Sequence, residues 1–346
     1  MEVESHLQQF SRFLYTRVRG LSAKEFMLST MAQSKTTTPY TEQYNLAIEQ
    51  QLPGAMDFRI GYVGQRTIHQ NNHGGPGNTE PDINYAPPGT TVEQARRPYQ
   101  PFSSITMAFD PIYHTTGNSL QVGLHKRYSH GFMVNAEYQW IRVLGVENHQ
   151  DPTKIGDSYG PISSITPQTI EISYSYELPF GQSKLILGRA SGLTRKIISG
   201  WQLGGLTSFQ TGQPFSVTYT APGSQTYGAS GRADRVIGVP LYPAAKTRGE
   251  WFNPAAFKAP APYVFGNSGY DMLRGPNYQN WDMNLEKDTK IGERYRLQLR
   301  GETFNVFNHP NFSVPSAAIT NPASFAVISS VVNENRTVEF AAKFNF

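Results

Sequence analysis

Nine segments of this 346-residue chain alternate apolar and polar residues at a period of two, the pattern of a β-strand with one apolar face. In one of the clearest segments, 169–178, the apolar positions are Ile170, Ile172, Tyr174, Tyr176 and Leu178. The nine predicted strands cover residues 41–52, 55–67, 118–128, 131–142, 168–178, 200–211, 280–288, 293–306 and 336–346. The pattern therefore predicts an all-β, antiparallel fold.

The length of these strands favours a membrane β-barrel over a soluble sheet. A strand of about ten residues rises roughly 34 Å, and a tilt of about 45° leaves roughly 24 Å along the membrane normal. The apolar band of outer-membrane barrels is about 25 Å tall. Strands of globular sheets usually have only about five or six residues.

The connectors alternate between short and long. Tight turns are predicted at 52–55, 128–131 and 289–292, whereas long connectors are predicted at 68–117, 143–167, 212–279 and 307–335. The connector 179–199 is intermediate in length. Outer-membrane barrels have short periplasmic turns and long extracellular loops, so this alternation predicts the orientation of the chain across the membrane.

The composition agrees with such a barrel. Charged residues make up 16% of the chain and its mean hydropathy is −0.45, since only alternate residues of a barrel strand face lipid. The chain has no cysteine, which excludes disulfides and thiolate metal sites. The net charge of +4 is spread along the chain, so we expect no nucleic-acid partner. No apolar run is long enough for a transmembrane helix.

Aromatic residues concentrate near the ends of the predicted strands, as in the interfacial girdles of a barrel. The alternative is a set of core aromatics in a soluble β-protein. The residues concerned are Tyr128, Trp140, Trp201, Phe209, Trp281, Tyr295 and Phe346.

The last predicted strand has the clearest amphipathic pattern. Val338, Phe340, Ala342, Phe344 and Phe346 share one face, which we expect to contact outer-membrane lipid. The charged residues of this strand all lie on the other face, which we expect to line the lumen. A closing strand of this kind resembles the signal that the outer-membrane barrel assembly machinery reads. We predict that Val338, Phe340, Phe344 and Phe346 form this signal, the alternative being an ordinary amphipathic strand.

Several segments, in this order, resemble the C-terminal barrel portion of TonB-dependent receptor-like proteins of the Oar-like type. They are PYTEQYNLAIEQQLPG (39–54), GWQLGGLTSFQTGQPFSV (200–217), WFNPAAF (251–257), FGNSGYDMLRGPNYQNWDMNLEK (265–287), RLQLRGETFNVFNHPNF (296–312) and the closing strand 336–346. The resemblance covers residues 37–346, whereas 1–36 match nothing familiar. It implies a 22-stranded barrel with an N-terminal plug domain and a TonB-contacting segment. The chain then corresponds to the last nine strands, with plug and TonB contact belonging to a missing N-terminal part.

The N-terminus conflicts with this interpretation. Residues 1–20 contain Glu2 and Glu4 and lack both an apolar region and a small-residue cleavage site, so no signal peptide is predicted. An outer-membrane protein needs an export signal. Either the barrel interpretation is wrong or the sequence starts inside a longer protein.

The sequence offers no catalytic, cofactor or metal site. His69 and His73 are four residues apart in a Gly- and Asn-rich segment that is expected to be a solvated loop. The Gly-rich pieces 228–231 and 266–269 lack the strand-to-helix setting of a phosphate loop. Asp151, Asp157 and Asp271 are scattered through connectors, and the row Arg296, Gln298, Arg300 and Glu302 is expected to be a hydrated lumen wall or a contact for plug or substrate.

Three functions remain open at this point. The first is an outer-membrane TonB-dependent receptor that imports a large nutrient, carbohydrate or chelated metal being the usual cargo of the family that the chain resembles. The second is a surface or adhesion protein that acts through the connectors 68–117 and 212–279. The third is a soluble, glycan-binding β-protein.

Overall fold

Nine long strands dominate the fold in a computed structural model of the protein. The structure describes residues 28–32, 37–70, 81–108, 111–147, 149–181, 184, 186–187, 192–221, 231–292 and 294–346. The long strands are β1 (Tyr40–Leu52), β2 (Met56–Gln70), β3 (Tyr113–Ser129), β4 (Phe132–Gly145), β5 (Gln168–Glu177), β6 (Trp201–Gln210), β7 (Tyr278–Ile291), β8 (Tyr295–Phe304) and β9 (Thr337–Asn345). Each coincides with one of the nine predicted strands, so the predicted all-β fold is confirmed.

These strands form one antiparallel sheet in which every strand pairs with the next along the chain. Such a meander is the arrangement of an up-and-down barrel wall. β1 and β9 are the two edges of the sheet and do not pair with each other. The described residues therefore form an open wall and not a closed barrel.

The register keeps the predicted apolar positions on one side of the sheet, which we call the apolar face. One member from each strand in turn is Ile48, Ile60, Val122, Ala136, Ile172, Leu203, Leu285, Leu299 and Ala342. The opposite side, the polar face, carries Glu49, Arg59, Gln121, Glu137, Glu171, Gln202, Glu286, Arg300 and Lys343. Because side chains alternate along a strand, one consistent register separates the two sets across all nine strands.

Tight turns close the hairpins at one edge of the sheet, the tight-turn edge. Their left-handed residues are Gly54 and Ala55 (φ 82° and 61°), His130 and Gly131 (φ 55° and 76°), and Gly292 (φ 69°). Two-residue hairpin turns require positive φ at their central positions, which glycine adopts without strain. The connector 178–200 also lies at this edge, and the four long connectors emerge at the other, the long-connector edge.

Short elements occupy the connectors. The helices are α1 (Glu93–Arg96) and α2 (Gly192–Ile198), with 3₁₀ turns at Ile155–Ser158 and Pro254–Ala256. Short strand pairs join Leu28–Ala32 to Ser104–Ala108, Pro214–Phe215 to Leu273–Arg274, Thr218–Tyr219 to Gly231–Arg232, and Asp234–Arg235 to Phe257–Lys258, while Gly160–Pro161 pairs with the end of β4. Within the described ranges, no helix is long and apolar enough to cross a membrane.

The hydrophobic core of the molecule lies in the long connectors and not in the sheet. Phe252 is fully buried at its centre and makes edge-to-face contacts with Phe257 and Phe325, at ring distances of 5.9 and 5.1 Å. These residues come from the connectors 211–277 and 305–336. Because the two connectors share this core, they form a folded cap on the long-connector edge.

Candidate ligand-binding site

A cavity of about 1080 Å³ lies among the long connectors. Its wall comes from three of them, with lining residues in the ranges 81–98, 150–157 and 232–269. Ligand sites of proteins typically occupy concave spaces of about 300–1,000 Å³, mostly apolar with a few placed polar groups. The cavity is therefore large enough for a sizeable ligand.

The first wall is held by buried polar contacts around Asp82. Asp82 Oδ1 accepts the backbone N–H groups of Asn84 and Ile105 at 2.8 and 2.9 Å, and Oδ2 pairs with Arg97 at 3.2 Å. The fully buried Asn84 side chain in turn donates to the carbonyl and accepts from the N–H of Tyr99. Because buried polar groups that lose a partner are costly, these contacts fix the backbone of this wall.

Gln150 links the second wall to the third. Its Nε2 donates to the carbonyl of Gly266, and its Oε1 accepts the backbone N–H of Arg232, both at 2.8 Å. Gly266 has no room for a side chain, because an added Cβ would lie 1.9 Å from the Arg232 carbonyl oxygen. The amide of one buried side chain thus joins two connectors through residues that are 82 positions apart in the sequence.

Arg232 reinforces this junction. Its guanidinium donates to the Ser158 hydroxyl at 3.0 Å and to the Asp157 carbonyl at 2.7 Å, and it lies 5.9 Å from the ring of Tyr270. Burial lowers the pKa of Arg232, although nearby acidic groups oppose this effect. An arginine stays protonated in proteins, so the junction places a permanent positive charge at the cavity wall.

A second buried charge site lies beside this wall. The Asp271 carboxylate accepts from the Ser216 hydroxyl at 2.8 Å, and that hydroxyl accepts the Asp271 N–H at 2.8 Å. Burial raises the pKa of Asp271 to about 6, and Glu147 contributes in the same direction, while Ser216, Arg274 and Arg232 oppose the rise. Asp271 is therefore the group of the cap that titrates at mildly acidic pH.

The cavity surface combines flat apolar groups with polar ones. Tyr85 and Phe265 stack with ring centroids 6.4 Å apart, and Tyr263 is 38% exposed. Prolines 81, 87, 88, 98 and 152 add further flat surface. Lys154 and Asn267 contribute polar groups. The acidic lining residues Asp82, Asp151 and Asp157 are balanced in part by Lys154 and Arg232.

The predicted assembly-signal residues lie far along the chain from this cavity lining. Val338, Phe340 and Phe344 belong to the edge strand β9, and Phe346 follows it. The ring of Phe344 stacks on Tyr295 and Phe346, with centroids 5.7 and 6.4 Å apart. All four residues are at least half exposed. Their role in assembly stays a prediction.

The residues of the predicted polar row on β8 make two ion pairs and one hydrogen bond along the polar face. The Arg296 Nε donates to Asp288 at 2.5 Å, Gln298 donates to Glu286 at 2.5 Å, and Arg300 pairs with Glu302 at 2.5 Å. The row contacts neighbouring strands and is not part of the cavity. Whether it meets a plug or substrate stays open.

Other candidates from the sequence are placed as follows. Asp151 and Asp157 line the same cavity, together with Gly266, Ser268 and Gly269 of the Gly-rich piece 266–269. His69 ends up near the end of β2 with a positive φ of 56°, and His73 lies outside the described residues. No group of three or more potential metal ligands occurs in the described part of the chain.

The sequence did not single out Gln150 or Arg232. Neither residue stands in a motif, and only the packing of the connectors brings them together. A possible sequence signal was the Gly-rich piece 266–269, whose glycines permit the close approach of the backbone to Arg232.

Four of the aromatic residues predicted to form interfacial belts lie on the apolar face at two levels, and their position at a membrane interface stays a prediction. Phe209 and Trp281 meet edge-to-face at 5.6 Å near the long-connector edge, whereas Trp201 and Tyr295 begin their strands at the tight-turn edge. Eight residues separate Trp201 from Phe209, which is roughly 27 Å along the strand. With a tilt of about 40° the two levels are roughly 20 Å apart along the membrane normal, close to the apolar band of a barrel.

Comparisons with known proteins agree with this architecture. A family model described as "Outer membrane beta barrel domain" matches residues 13–339. No curated protein matches the chain.

Similar solved structures are the outer membrane transporter YddB from Escherichia coli (11% identity, TM-score 0.46, 91% of this chain and 34% of that chain), the ferripyoverdine receptor of the outer membrane of Pseudomonas aeruginosa bound to ferripyoverdine (11%, 0.44, 89% and 27%) and the FrpB iron transporter from Neisseria meningitidis (11%, 0.43, 93% and 33%). The present chain thus spans about a third of the length of these proteins, or less.

Proposed function

Because the chain belongs to the outer membrane beta barrel domain family, we propose that its nine strands are part of the wall of an outer-membrane uptake receptor. In this proposal the apolar face contacts outer-membrane lipid and the polar face lines the lumen. The tight turns face the periplasm and the folded cap faces the cell exterior, as is usual for such barrels. Recognition and passage of a ligand require no chemical step by the protein.

The cavity among the long connectors is the observation that carries this proposal. A structural wall or an adhesion surface needs no cavity of this size, whereas a receptor must hold its ligand before import. The cavity of about 1080 Å³ lies between three connectors, of which the second and third are joined by the buried contacts of Gln150, while Tyr85 of the first stacks on Phe265 of the third. Rigid, preformed sites bind with a smaller loss of conformational freedom.

The cavity chemistry favours a carbohydrate oligomer as the ligand. Sugar rings present flat C–H faces that pack on aromatic or proline rings, and hydroxyl edges that bond amide and charged side chains. Tyr263, Phe265 and the five lining prolines supply the first kind of surface, and Asn267 and Lys154 supply the second. Because formal charges of both signs line the cavity, a neutral ligand fits better than a strongly charged chelate.

The proposal assigns two partners outside the nine strands. The closing residues Val338, Phe340, Phe344 and Phe346 would contact the barrel assembly machinery during insertion. Energy for import would come through a TonB-contacting segment that is not part of the nine-strand wall.

Binding of neutral oligosaccharides by the receptor in isolated outer membranes tests this function. We expect Tyr263→Ala to weaken binding by about tenfold, since loss of an aromatic contact costs on the order of 1 kcal/mol beyond the buried area. Tyr295→Ala, at the opposite edge of the sheet, is the matched control and should leave binding unchanged. A different result would be a receptor that binds ferric chelates and not oligosaccharides, with the same dependence on Tyr263. That result would support the receptor function and contradict the proposed carbohydrate ligand. A protein that binds neither kind of ligand but promotes cell attachment would contradict both the receptor function and the carbohydrate ligand.

A further inference from the structure

One connector at the tight-turn edge is much longer than a hairpin requires. Three hairpins at this edge are closed by residues 53–55, 130–131 and 292–294, whereas β5 and β6 are joined by residues 178–200. Two to five residues suffice for an antiparallel connection. The additional residues, which include α2, therefore need a separate explanation.

The C-terminal end of α2 is attached to the apolar face of the sheet. Trp201 Nε1 donates to the Ile197 carbonyl at 3.0 Å, and Lys287 Nζ donates to the carbonyls of Lys196 and Ser199 at 2.8 and 2.7 Å. Trp201 and Lys287 are register partners on β6 and β7, on the same side as Leu203 and Leu285. The last carbonyls of a helix have no partner within it, so these two side chains provide the missing donors. α2 is thereby held on the side of the sheet that faces lipid.

Lys287 indicates the level of the membrane at this point. It is a charged residue on the apolar face, only 8% exposed, with its ammonium group 5.0 Å from the ring of Trp201. A lysine facing lipid costs about 2–4 kcal/mol at the bilayer midplane and about 0–1 kcal/mol near the interface. The two carbonyl groups that accept hydrogen bonds from Lys287, and the neighbouring ring of Trp201, fit a position at the membrane–water interface, where Trp is enriched.

The connector has the composition of a membrane-surface segment. Leu193 and Ile197 lie one helical turn apart on α2 and are 74% and 57% exposed. Arg195 lies on the opposite side of the helix from these two residues, and Lys196 flanks them. Residues 178–200 contain four basic residues (Lys184, Arg189, Arg195 and Lys196) and no acidic residue, although the whole chain has 30 basic and 26 acidic residues.

We infer that α2 and the residues that follow it, 192–200, bind the surface of the lipid bilayer, with α2 in the plane of the headgroups. Leu193 and Ile197 enter the boundary of the acyl region, and Arg195 and Lys196 face anionic headgroups. Basic amphipathic helices bind membranes in this way, and each basic residue near an anionic surface favours binding. This surface continues the apolar face that the proposed function places in lipid, so the inference rests on that orientation and not on the proposed ligand.

The absence of cysteine makes a direct test possible. The full chain is prepared as Leu193→Cys, labelled with an environment-sensitive fluorophore and placed in bicelles, which cover an apolar face without requiring a closed barrel. His130→Cys, in a tight turn at the same edge, is the matched control. We expect the label at position 193 to shift its emission to shorter wavelength and to be quenched by a nitroxide lipid labelled near the headgroup. The label at position 130 should show neither effect.

Two further outcomes decide between alternatives. Water-like emission from position 193, equal to that from position 130, would overturn the inference. A blue-shifted label that the nitroxide lipid does not quench would overturn it too, because the site would then be covered by protein.

The double substitution Arg195→Gln, Lys196→Gln should lower the affinity of the segment for phosphatidylglycerol bicelles by about 20-fold, on the basis of the electrostatic contribution per basic residue. The same change should have little effect in phosphatidylcholine bicelles, and equal loss in both would contradict the role of charge.

Discussion

At the scale of single residues, the cap contains buried polar groups whose pKa depends on their surroundings. Asp271 is 4% exposed, and its Oδ2 has no hydrogen-bond partner among the described residues. Its pKa of about 6 lies above the ordinary value of 3.8 mainly because of burial. Between these two values the folded state binds more protons than the unfolded state. The free energy of unfolding therefore falls as the pH rises through this window and is level above it.

The substitution Asp271→Asn should remove this pH dependence. The amide oxygen can still accept from Ser216, while no charge develops as the pH rises. We expect the cap of the variant to be more stable than wild type at about pH 7, by at most roughly 3 kcal/mol, and similar to it at about pH 4. Hydrogen exchange of residues 211–277, corrected for the intrinsic rate at each pH, measures the difference. Glu250→Gln, an exposed carboxylate in the same connector, is the control; an equal response to both substitutions would contradict a specific effect of burial.

Gln150 should contribute to the stability of the junction between two walls of the cavity. Gln150→Ala leaves the Gly266 carbonyl and the Arg232 N–H without their buried partner, at about 1–3 kcal/mol for each group left unsatisfied. We expect faster hydrogen exchange at both connectors and weaker ligand binding. Gln213→Ala, an exposed glutamine at the start of the same connector as Arg232, should change neither. Unchanged exchange near residues 150 and 266 in the first variant would show that other contacts hold the walls together.

At the scale of elements, the nine strands could be predicted because their pattern is local. Each strand must place apolar side chains on one face, so the period of two is visible in the sequence. β3 begins at Tyr113, five residues before the predicted start, because residues 113–117 lack the alternation and are paired through neighbouring strands. The parallel pair of Leu28–Ala32 with Ser104–Ala108 was not predicted either, since its partners are 76 residues apart. The cavity could not be predicted from the sequence for the same reason. Its walls come from distant connectors whose contacts leave no periodic pattern.

The two faces of β9 can be compared with one matched pair of substitutions. Ala341 lies opposite Arg300 on the polar face, and Ala342 lies opposite Leu299 on the apolar face. We expect Ala342→Arg to reduce the amount of the complete barrel, formed with its further strands, that is assembled in the outer membrane, because arginine on the lipid face costs about 2–4 kcal/mol near the midplane. Ala341→Arg places the same charge on the hydrated polar face, where repulsion by Arg300 costs at most about 1 kcal/mol, so it should reduce assembly less. Equal assembly of the two variants, measured in membrane fractions, would contradict the assignment of the faces.

At the scale of the whole molecule, the nine-strand sheet cannot close on itself in the usual way. In a meander, β1 and β9 run in the same direction, so pairing them would give a parallel seam. Bacterial single-chain barrels have even strand numbers and antiparallel closure. A second copy with the same orientation in the membrane would meet β9 with a parallel β1 as well. The wall therefore needs an odd number of additional strands to complete an even, antiparallel barrel.

When the 346-residue chain is produced alone, the two edges of its described nine-strand sheet do not pair with each other. Their N–H and C=O groups would be exposed to lipid, where each costs several kcal/mol, so we expect no stable insertion into the outer membrane. Co-production with a segment that contributes an odd number of strands should yield a folded barrel, recognised by a shift in electrophoretic mobility between heated and unheated samples. A segment with one strand fewer is the matched control and should fail, because its edge would again be parallel. A heat-modifiable monomer of the nine-strand chain by itself would contradict the requirement for further strands and show that the edges can be satisfied within the chain.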